Sequence, residues 1–263
     1  MKNRTLLLGE GLFETWRVYP GRKLPFVKEH LNRMKRGACY FNWPFCEKMA
    51  IQKLNDVLKE IPPDIDARLR LTLVCYGEDR ITTEFLTHWE PLSPELDRFQ
   101  REGVAVTIAP FKKHSSSPLR YFKTTCFLEN SHILKKARQR GFYEAIFLNE
   151  RDEITEGCIS NIFFVKNEHV ILTPSLKSGL LPGITRQKMI KLLKEMDLCV
   201  KETNLSLHDL THFQGAFLTN AVVEVLPVTK IDTVPYSSWA GCKKLLAAYR
   251  ELVNKENCLL VKI

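Results

Sequence analysis

Segments with helical spacing and segments with strand-like alternation are interleaved in this chain without a regular β-α repeat. Leu31, Met34 and Ala38 recur at helical spacing, whereas polar and apolar residues alternate along much of the stretch from Ala67 to Tyr76. A regular β-α alternation would predict a doubly wound parallel sheet, so the irregular order predicts the α+β class. The length of 263 residues allows one large domain or two smaller ones.

The polar stretch 112–120 divides the predicted elements into two groups. It contains three serines and a proline, which is typical of a linker. We therefore predict a smaller N-terminal α/β domain over 1–111, an interdomain loop over 112–120 and a larger C-terminal domain over 121–263. The predicted helices are 28–40, 47–60, 129–140, 185–196 and 240–254, and the predicted strands are 12–18, 24–27, 67–76, 85–89, 104–109, 145–148, 159–165, 170–172, 216–219 and 222–226.

The formal net charge is +9, which permits a nucleic-acid surface, a protein that handles anions, or a surface that is merely rich in lysine. The basic residues are scattered and form no known nucleic-acid motif, so we expect no nucleic-acid partner. No apolar run approaches the roughly 20 residues of a membrane span, and Leu6–Leu8 is too short for a signal peptide. These features predict a cytoplasmic protein without a membrane partner.

The cysteine pattern gives no indication of a metal site. Eight cysteines are dispersed along the chain without a Cys-x-x-Cys pair, which argues against zinc and against a small disulfide framework. We expect free thiols, most of them buried.

Lys123 is the candidate nucleophile. It lies within Tyr121–Leu128, a mostly apolar stretch. Partial burial there would lower the pKa of its ammonium group and favour the nucleophilic amine. The alternative is an ordinary lysine whose head group extends to water.

Three polar features downstream suit an anionic or cationic ligand. Glu156 precedes a strongly apolar segment, where it is either an exposed strand-end residue or a partner for a cationic ring nitrogen. Leu181–Arg186 leads into a predicted helix, whose N-terminus suits a phosphate or is simply capped by Thr185. Thr219-Asn220-Ala221 joins two apolar segments, either as part of a ligand site or as a satisfied turn.

An amine, a carboxylate and two anion-binding turns are what pyridoxal 5'-phosphate requires. The chain resembles the fold-type IV, or class IV aminotransferase, pyridoxal-phosphate enzymes, a two-domain α+β fold, over nearly its whole length. The matching segments are Gly9–Arg17, His30–Arg33, Lys123, Thr155–Phe163, Pro182–Arg186 and Thr219-Asn220.

The resemblance assigns roles by position. It implies that Lys123 is the catalytic, Schiff-base lysine and that Glu156 is the partner of the pyridine nitrogen. Several members carry a tyrosine four or five residues after the lysine, whereas this chain has Phe127 there. The resemblance also implies that the phosphate is bound by Arg33, Ile184, Thr185 and Asn220.

The family includes branched-chain aminotransferases, D-amino acid aminotransferases and 4-amino-4-deoxychorismate lyases. Thr219-Asn220 resembles the lyases, whereas branched-chain aminotransferases usually have Gly-Thr-Ala at that place. The resemblance therefore implies a lyase of the folate route that releases 4-aminobenzoate and pyruvate, with an aminotransferase as the alternative, and it implies a homodimer. The substrate would be a small molecule with two carboxylates, for which the candidate ligands are Thr15, Arg17, Lys112, His114 and Arg120.

Overall fold

The structure, a computed structural model, describes residues 2–237 and 239–256. Two compact units emerge from the contacts. The first comprises residues 2–93, 122–127 and 253–256, and the second comprises residues 94–121, 128–237 and 239–252.

The first unit is built on a three-stranded antiparallel sheet in the order β1-β2-β3. The alternation that predicted β2 is confirmed, because Leu69, Leu71 and Leu73 are buried while Arg68 and Arg70 lie on the opposite face. Apolar residues of the helices that follow β1 complete this core. The elements are α1 (Arg4–Leu8), β1 (Gly11–Val18), α2 (Val27–Tyr40), α3 (Glu47–Glu60), β2 (Ala67–Tyr76) and β3 (Thr82–Pro91).

The second unit is built on a mixed sheet of nine strands. The strand order is β6-β5-β4-β11-β10-β7-β8-β9, and β12 pairs with β11. Strand β4 runs parallel to β5 and β11, and β8 runs parallel to β9, whereas the other pairs are antiparallel. The α+β class predicted from the irregular order of elements is confirmed. The remaining elements are α4 (Leu96–Glu102), β4 (Val104–Ile108), α5 (Leu128–Gln139), β5 (Ala145–Leu148), β6 (Ile154–Gly157), β7 (Asn161–Asn167), β8 (Val170–Pro174), α6 (Ile184–Glu195), β9 (Cys199–Thr203), β10 (Gly215–Asn220), β11 (Glu224–Ile231), β12 (Val234–Pro235) and α7 (Gly241–Lys255).

The sequence prediction differs from the structure in several elements. The strand predicted at 24–27 is wrong, because Phe26 has a left-handed φ of 57° and Val27 already begins α2. Helices α1 and α4 and strands β6 and β9 were not predicted. The boundary between the units also lies elsewhere than residues 112–120: β4 hydrogen-bonds to β5 and β11 of the second unit, and residues 122–127 return to the first unit.

The seven cysteines within the described residues are free thiols, as predicted. The expectation that most are buried is wrong: Cys75, Cys158 and Cys242 are buried, whereas the other four are exposed. Cys258 lies outside the described residues. No helix in 2–237 or 239–256 combines the length and the apolar character that a membrane span requires.

Candidate active site

Lys123 is held against the beginning of β1 within the first unit. The Phe13 N–H donates to the Lys123 carbonyl at 2.8 Å, and the Thr125 N–H donates to the Gly11 carbonyl at 2.9 Å. Lys123 is half-buried, as the apolar segment predicted, and its Nζ lies 4.4 Å from the centroid of the Phe13 ring. The backbone of this segment is fixed by pairing, so the position of the amine is defined by β1.

Phe127 packs edge-on against the same ring of Phe13, with centroids 5.6 Å apart. The position that carries a tyrosine in several family members therefore serves packing in this chain. Gly11 is required by the close approach of the two segments, because a Cβ there would lie 2.9 Å from the Thr125 hydroxyl oxygen.

The sequence assigned no role to Glu14, a buried carboxylate of β1. Glu14 is 1% exposed and accepts hydrogen bonds from Arg33 Nε at 2.8 Å and Nη2 at 2.5 Å. His30 Nδ1 lies 2.7 Å from Glu14 Oε2. Burial alone would raise the pKa of Glu14, but the charges of Arg33 and His30 outweigh burial and lower the pKa to about 2.

Arg33 is therefore buried as the bidentate partner of Glu14. Burial lowers the pKa of His30, although the charge of Glu14 and its hydrogen bond oppose the shift. The phosphate-binding role of Arg33 stays a prediction, and the structure shows which carboxylate orients its guanidinium.

Arg70 is a second cation on the Phe13 ring. Its Cζ lies 3.7 Å from the ring centroid, and its Nε donates to the Thr72 hydroxyl at 3.2 Å. Burial, together with the neighbouring charge of Arg68, lowers the pKa of Arg70. Within residues 2–237 and 239–256, no carboxylate pairs with Arg70.

The side chains that the sequence predicted to bind the substrate carboxylates have different partners in the structure. Arg17 is buried and donates to Asp66 at 2.7 Å, and Lys112 pairs with Asp152 at 2.7 Å. Exposed His114 contacts the Ser116 hydroxyl at 2.8 Å. Arg120 lies 3.7 Å from Glu129 and keeps a buried Nε without a hydrogen-bond partner among the described residues. Half-buried Thr15 lies opposite Arg70 in the β1–β2 register.

Glu156 lies on β6 of the second unit and is held by two donors. Its Oε2 accepts the Leu181 N–H at 3.1 Å and Asn161 Nδ2 at 3.3 Å. Asn161 also donates to the Leu181 carbonyl at 3.1 Å. The carboxylate is thus tied to the turn that precedes α6, and Gly183 is required there because a Cβ would lie 2.1 Å from Asn161 Oδ1.

The N-terminus of α6 suits an anion. Gly183 is the N-cap residue, so Thr185 is the second helical residue and not the cap. No side chain caps this helix, and its first turn contains no acidic residue. The N–H groups of Ile184 and Thr185 lie in the first turn of α6, where N–H groups have no partner within the helix and would suit a phosphate.

Asn220 spans the turn between β10 and β11. Its Oδ1 accepts the N–H groups of Val222 and Val223, each at 2.8 Å, and its Nδ2 donates to the Ile159 carbonyl at 3.1 Å. A phosphate contact from Asn220 stays a prediction. The neighbouring Thr219 hydroxyl is buried and has no hydrogen-bond partner within the described residues.

These residues fit pyridoxal phosphate by their chemistry. Lys123 provides an amine, Glu156 a carboxylate, and α6 an uncapped N-terminus. The unpartnered Thr219 hydroxyl provides one more donor. The sequence missed Glu14 and Arg70, although His30 and Arg33, three residues apart on α2, indicated a shared buried partner.

Comparison with known proteins identifies the family. The family described as amino-transferase class IV matches residues 11–231. The aminodeoxychorismate lyase of Bacillus subtilis (strain 168) is 32% identical and covers 95% of this chain and 86% of that protein. The probable branched-chain-amino-acid aminotransferase of Thermotoga maritima is 30% identical and covers 84% of this chain and 77% of that protein.

A solved structure shows that the fold is shared. The branched-chain aminotransferase of Thermoproteus uzoniensis, crystallised with norvaline, matches with a TM-score of 0.86 at 24% identity, over 95% of this chain and 88% of that chain. The predicted two-domain fold of type IV is confirmed. The chain therefore belongs to the class IV aminotransferase family of pyridoxal-phosphate enzymes.

Proposed function

We propose that this chain is a lyase that converts 4-amino-4-deoxychorismate to 4-aminobenzoate and pyruvate. The observation that carries the proposal is the Thr219-Asn220-Ala221 turn, which differs from the Gly-Thr-Ala usual in branched-chain aminotransferases. The Asn220 amide closes this turn with three hydrogen bonds, one donated by its Nδ2 and two accepted by its Oδ1. The 32% identity to the Bacillus lyase over 95% of the chain supports the same branch.

In this proposal each residue has a separate role. Lys123 would hold the cofactor through its amine and would remove the proton from the amine-bearing carbon of the substrate. The cofactor, when bound, supplies an electron sink for the charge left on that carbon. Glu156 would keep the ring nitrogen protonated, and Arg33, Ile184, Thr185 and Asn220 would hold the phosphate.

Arg70 is our candidate for a substrate carboxylate. Arg70 contacts the Phe13 ring that Lys123 also contacts, and it has no acidic partner within the described residues. A half-buried guanidinium without a carboxylate gains more from an anionic ligand than one already paired, such as Arg17. Thr15 and Arg120 remain secondary candidates.

An aminotransferase is the alternative, and the 30% identity to the probable Thermotoga enzyme favours it. The two reactions share the first proton transfer to Lys123. A transaminase would keep the carbon skeleton of its substrate and transfer the amine, whereas the lyase would lose pyruvate as the substrate ring becomes aromatic. Positioning of the Lys123 amine decides between these outcomes.

The deciding experiment is a pyruvate-release assay on enzymatically generated 4-amino-4-deoxychorismate, beside a panel of L- and D-amino acids with 2-oxoglutarate. We expect pyruvate and 4-aminobenzoate in equal amounts and no transamination. Transamination without 4-aminobenzoate would place the protein on the aminotransferase branch.

Lys123→Ala tests the role of the amine. We expect turnover to fall by more than about a thousandfold, since both the covalent attachment and the proton carrier are lost. The cofactor's absorbance should become that of the unattached aldehyde, while the melting temperature stays close to that of the wild type. Lys135→Ala, which removes an exposed lysine of α5, is the control, and substantial turnover by Lys123→Ala would contradict the proposal.

A further inference from the structure

Glu144 is a buried carboxylate that the proposed reaction does not use. It is 0% exposed and immediately precedes β5. Its Oε1 accepts the Ser160 hydroxyl at 2.5 Å, and its Oε2 accepts the Ile159 N–H at 3.0 Å. A fully buried carboxylate is costly, so one that is kept indicates a specific task for its two acceptors.

Both donors belong to the turn Gly157–Ser160, which connects β6 to β7. Glu156 immediately precedes this turn and Asn161 immediately follows it. Asn161 Nδ2 is one of the two donors to Glu156 Oε2. The Glu144 carboxylate therefore fixes the backbone that connects Glu156 to Asn161, the residue that donates to Glu156.

The turn is fitted closely around Glu144. A Cβ at Gly157 would lie 2.3 Å from Glu144 Oε2, so any other residue would displace the carboxylate. Two carbonyls of the turn are also bound: Asn130 Nδ2 donates to the Cys158 carbonyl at 2.7 Å, and Asn220 Nδ2 donates to the Ile159 carbonyl at 3.1 Å. These bonds restrict the conformation of the turn.

The charge of Glu144 is not neutralised by an ion pair within the described residues. Burial raises its pKa to about 7, although the bonds from Ser160 and Ile159 and the charge of Arg138 on α5 oppose the shift. The negative charge of Glu156 raises the pKa of Glu144 further. Glu144 also contributes to the raised pKa values of Tyr143 and Cys158.

We propose that Glu144 is a positioning residue for Glu156: its carboxylate fixes the Gly157–Ser160 turn from which Glu156 and Asn161 extend, and its negative charge favours the cationic ring nitrogen that Glu156 would partner. The proposal rests on the proposed function, in which Glu156 serves the ring nitrogen of the cofactor. A negative charge close to that site would keep the nitrogen protonated over a wider pH range.

The test measures the absorbance of the bound cofactor as a function of pH in the holoenzyme. In Glu144→Gln we expect the midpoint of the absorbance change to move to lower pH by about one unit, because removing a nearby buried negative charge disfavours protonated forms. Ser160→Ala should move the midpoint in the same direction by less, because the carboxylate loses a donor that stabilises its charged form. The control is Glu168→Gln, the same substitution at an exposed glutamate between β7 and β8, which should leave the midpoint unchanged.

A second readout uses the apoprotein. Hydrogen exchange of the Ile159 amide should accelerate at least about tenfold in Glu144→Gln, since a hydrogen bond to a charged group is weakened. A fall in melting temperature with neither a shifted midpoint nor faster exchange would assign Glu144 a merely structural role and overturn the proposal. If Glu144→Gln does not fold, Ser160→Ala decides by the same two readouts, and an unchanged midpoint overturns the proposal.

Glu156→Gln separates this proposal from the proposed function. If Glu156 serves the ring nitrogen, the variant moves the midpoint further than Glu144→Gln does. If Glu156→Gln leaves the midpoint unchanged, the role that the proposed function gives to Glu156 is wrong. The electrostatic part of the role of Glu144 is then wrong as well. Exchange at Ile159 then still reports whether Glu144 fixes the turn.

Discussion

Glu14 in the first unit and Glu144 in the second are both almost completely buried, yet their pKa values are shifted in opposite directions. Two cationic or potentially cationic side chains, Arg33 and His30, surround Glu14 and lower its pKa to about 2. Glu144 has only neutral donors at hydrogen-bond distance, and burial raises its pKa to about 7. The comparison shows that the partners of a buried carboxylate, and not its depth, decide whether it is ionised.

The two glutamates consequently stabilise the fold in different pH ranges. The folded-state pKa of Glu14 lies below its ordinary value of 4.5, so its contribution is present above pH 4.5 and is lost as the pH falls toward 2. The folded-state pKa of Glu144 lies above 4.5, so its contribution is complete below pH 4.5 and is lost as the pH rises through 7.

Glu14→Gln should produce the largest effect. Arg33 would lose its buried carboxylate partner, and breaking a buried ion pair on one side costs about 3–5 kcal/mol. We expect a fall of that size in the free energy of unfolding of the apoprotein at pH 7, measured by urea denaturation. Glu90→Gln removes an exposed carboxylate of the same unit and should cost less than about 1 kcal/mol; equal losses in the two variants would contradict the comparison.

Glu144→Gln should change the pH dependence of stability in the opposite sense. The variant cannot acquire a buried charge, so its free energy of unfolding should improve relative to the wild type by about 2.5 kcal/mol between pH 5 and pH 8. The measurement is urea denaturation of both apoproteins at the two pH values. A difference that is independent of pH would show that Glu144 keeps one protonation state throughout this range.

Arg70→Gln extends the comparison to unpaired cations and should have the smallest effect. The proposed lyase would lose a charged contact to a substrate carboxylate, worth about 1.5–3 kcal/mol, so KM should rise about ten- to hundredfold while kcat changes little. Arg68→Gln is the matched control, since Arg68 lies exposed on the same strand beside Glu90. Equal KM values for wild type and Arg70→Gln would remove Arg70 from the substrate site.

Much of the fold could be predicted from local patterns. Strand β2 and helix α2 have regular spacing of apolar residues, so their existence and their bounds follow from periodicity. The segment 24–27 has strand-like composition, but the left-handed conformation of Phe26 depends on packing that composition does not encode. Strand β6 is four residues long, too short for its alternation to be recognised.

The residues of the candidate site that lie in sequence motifs were predicted. Those whose environment depends on residues distant in the sequence were missed. Glu156 and the turn before α6 lie in motifs of the family, whereas Glu144 contacts Ser160 across 16 residues through neutral partners that no spacing rule identifies. Arg70 follows the alternation of β2 like any polar strand residue, and its lack of an acidic partner is visible only in three dimensions.

The close approach of Gly157 and Glu144 Oε2 makes the two positions genetically interdependent. A library that randomises position 157 alone should return almost only glycine, because every side chain meets the carboxylate. A library that randomises both positions should also recover pairs in which a shorter residue replaces Glu144 and a small side chain replaces Gly157. Tolerance at either position therefore cannot be read from single substitutions, and second-site suppression is the expected route by which this turn can vary.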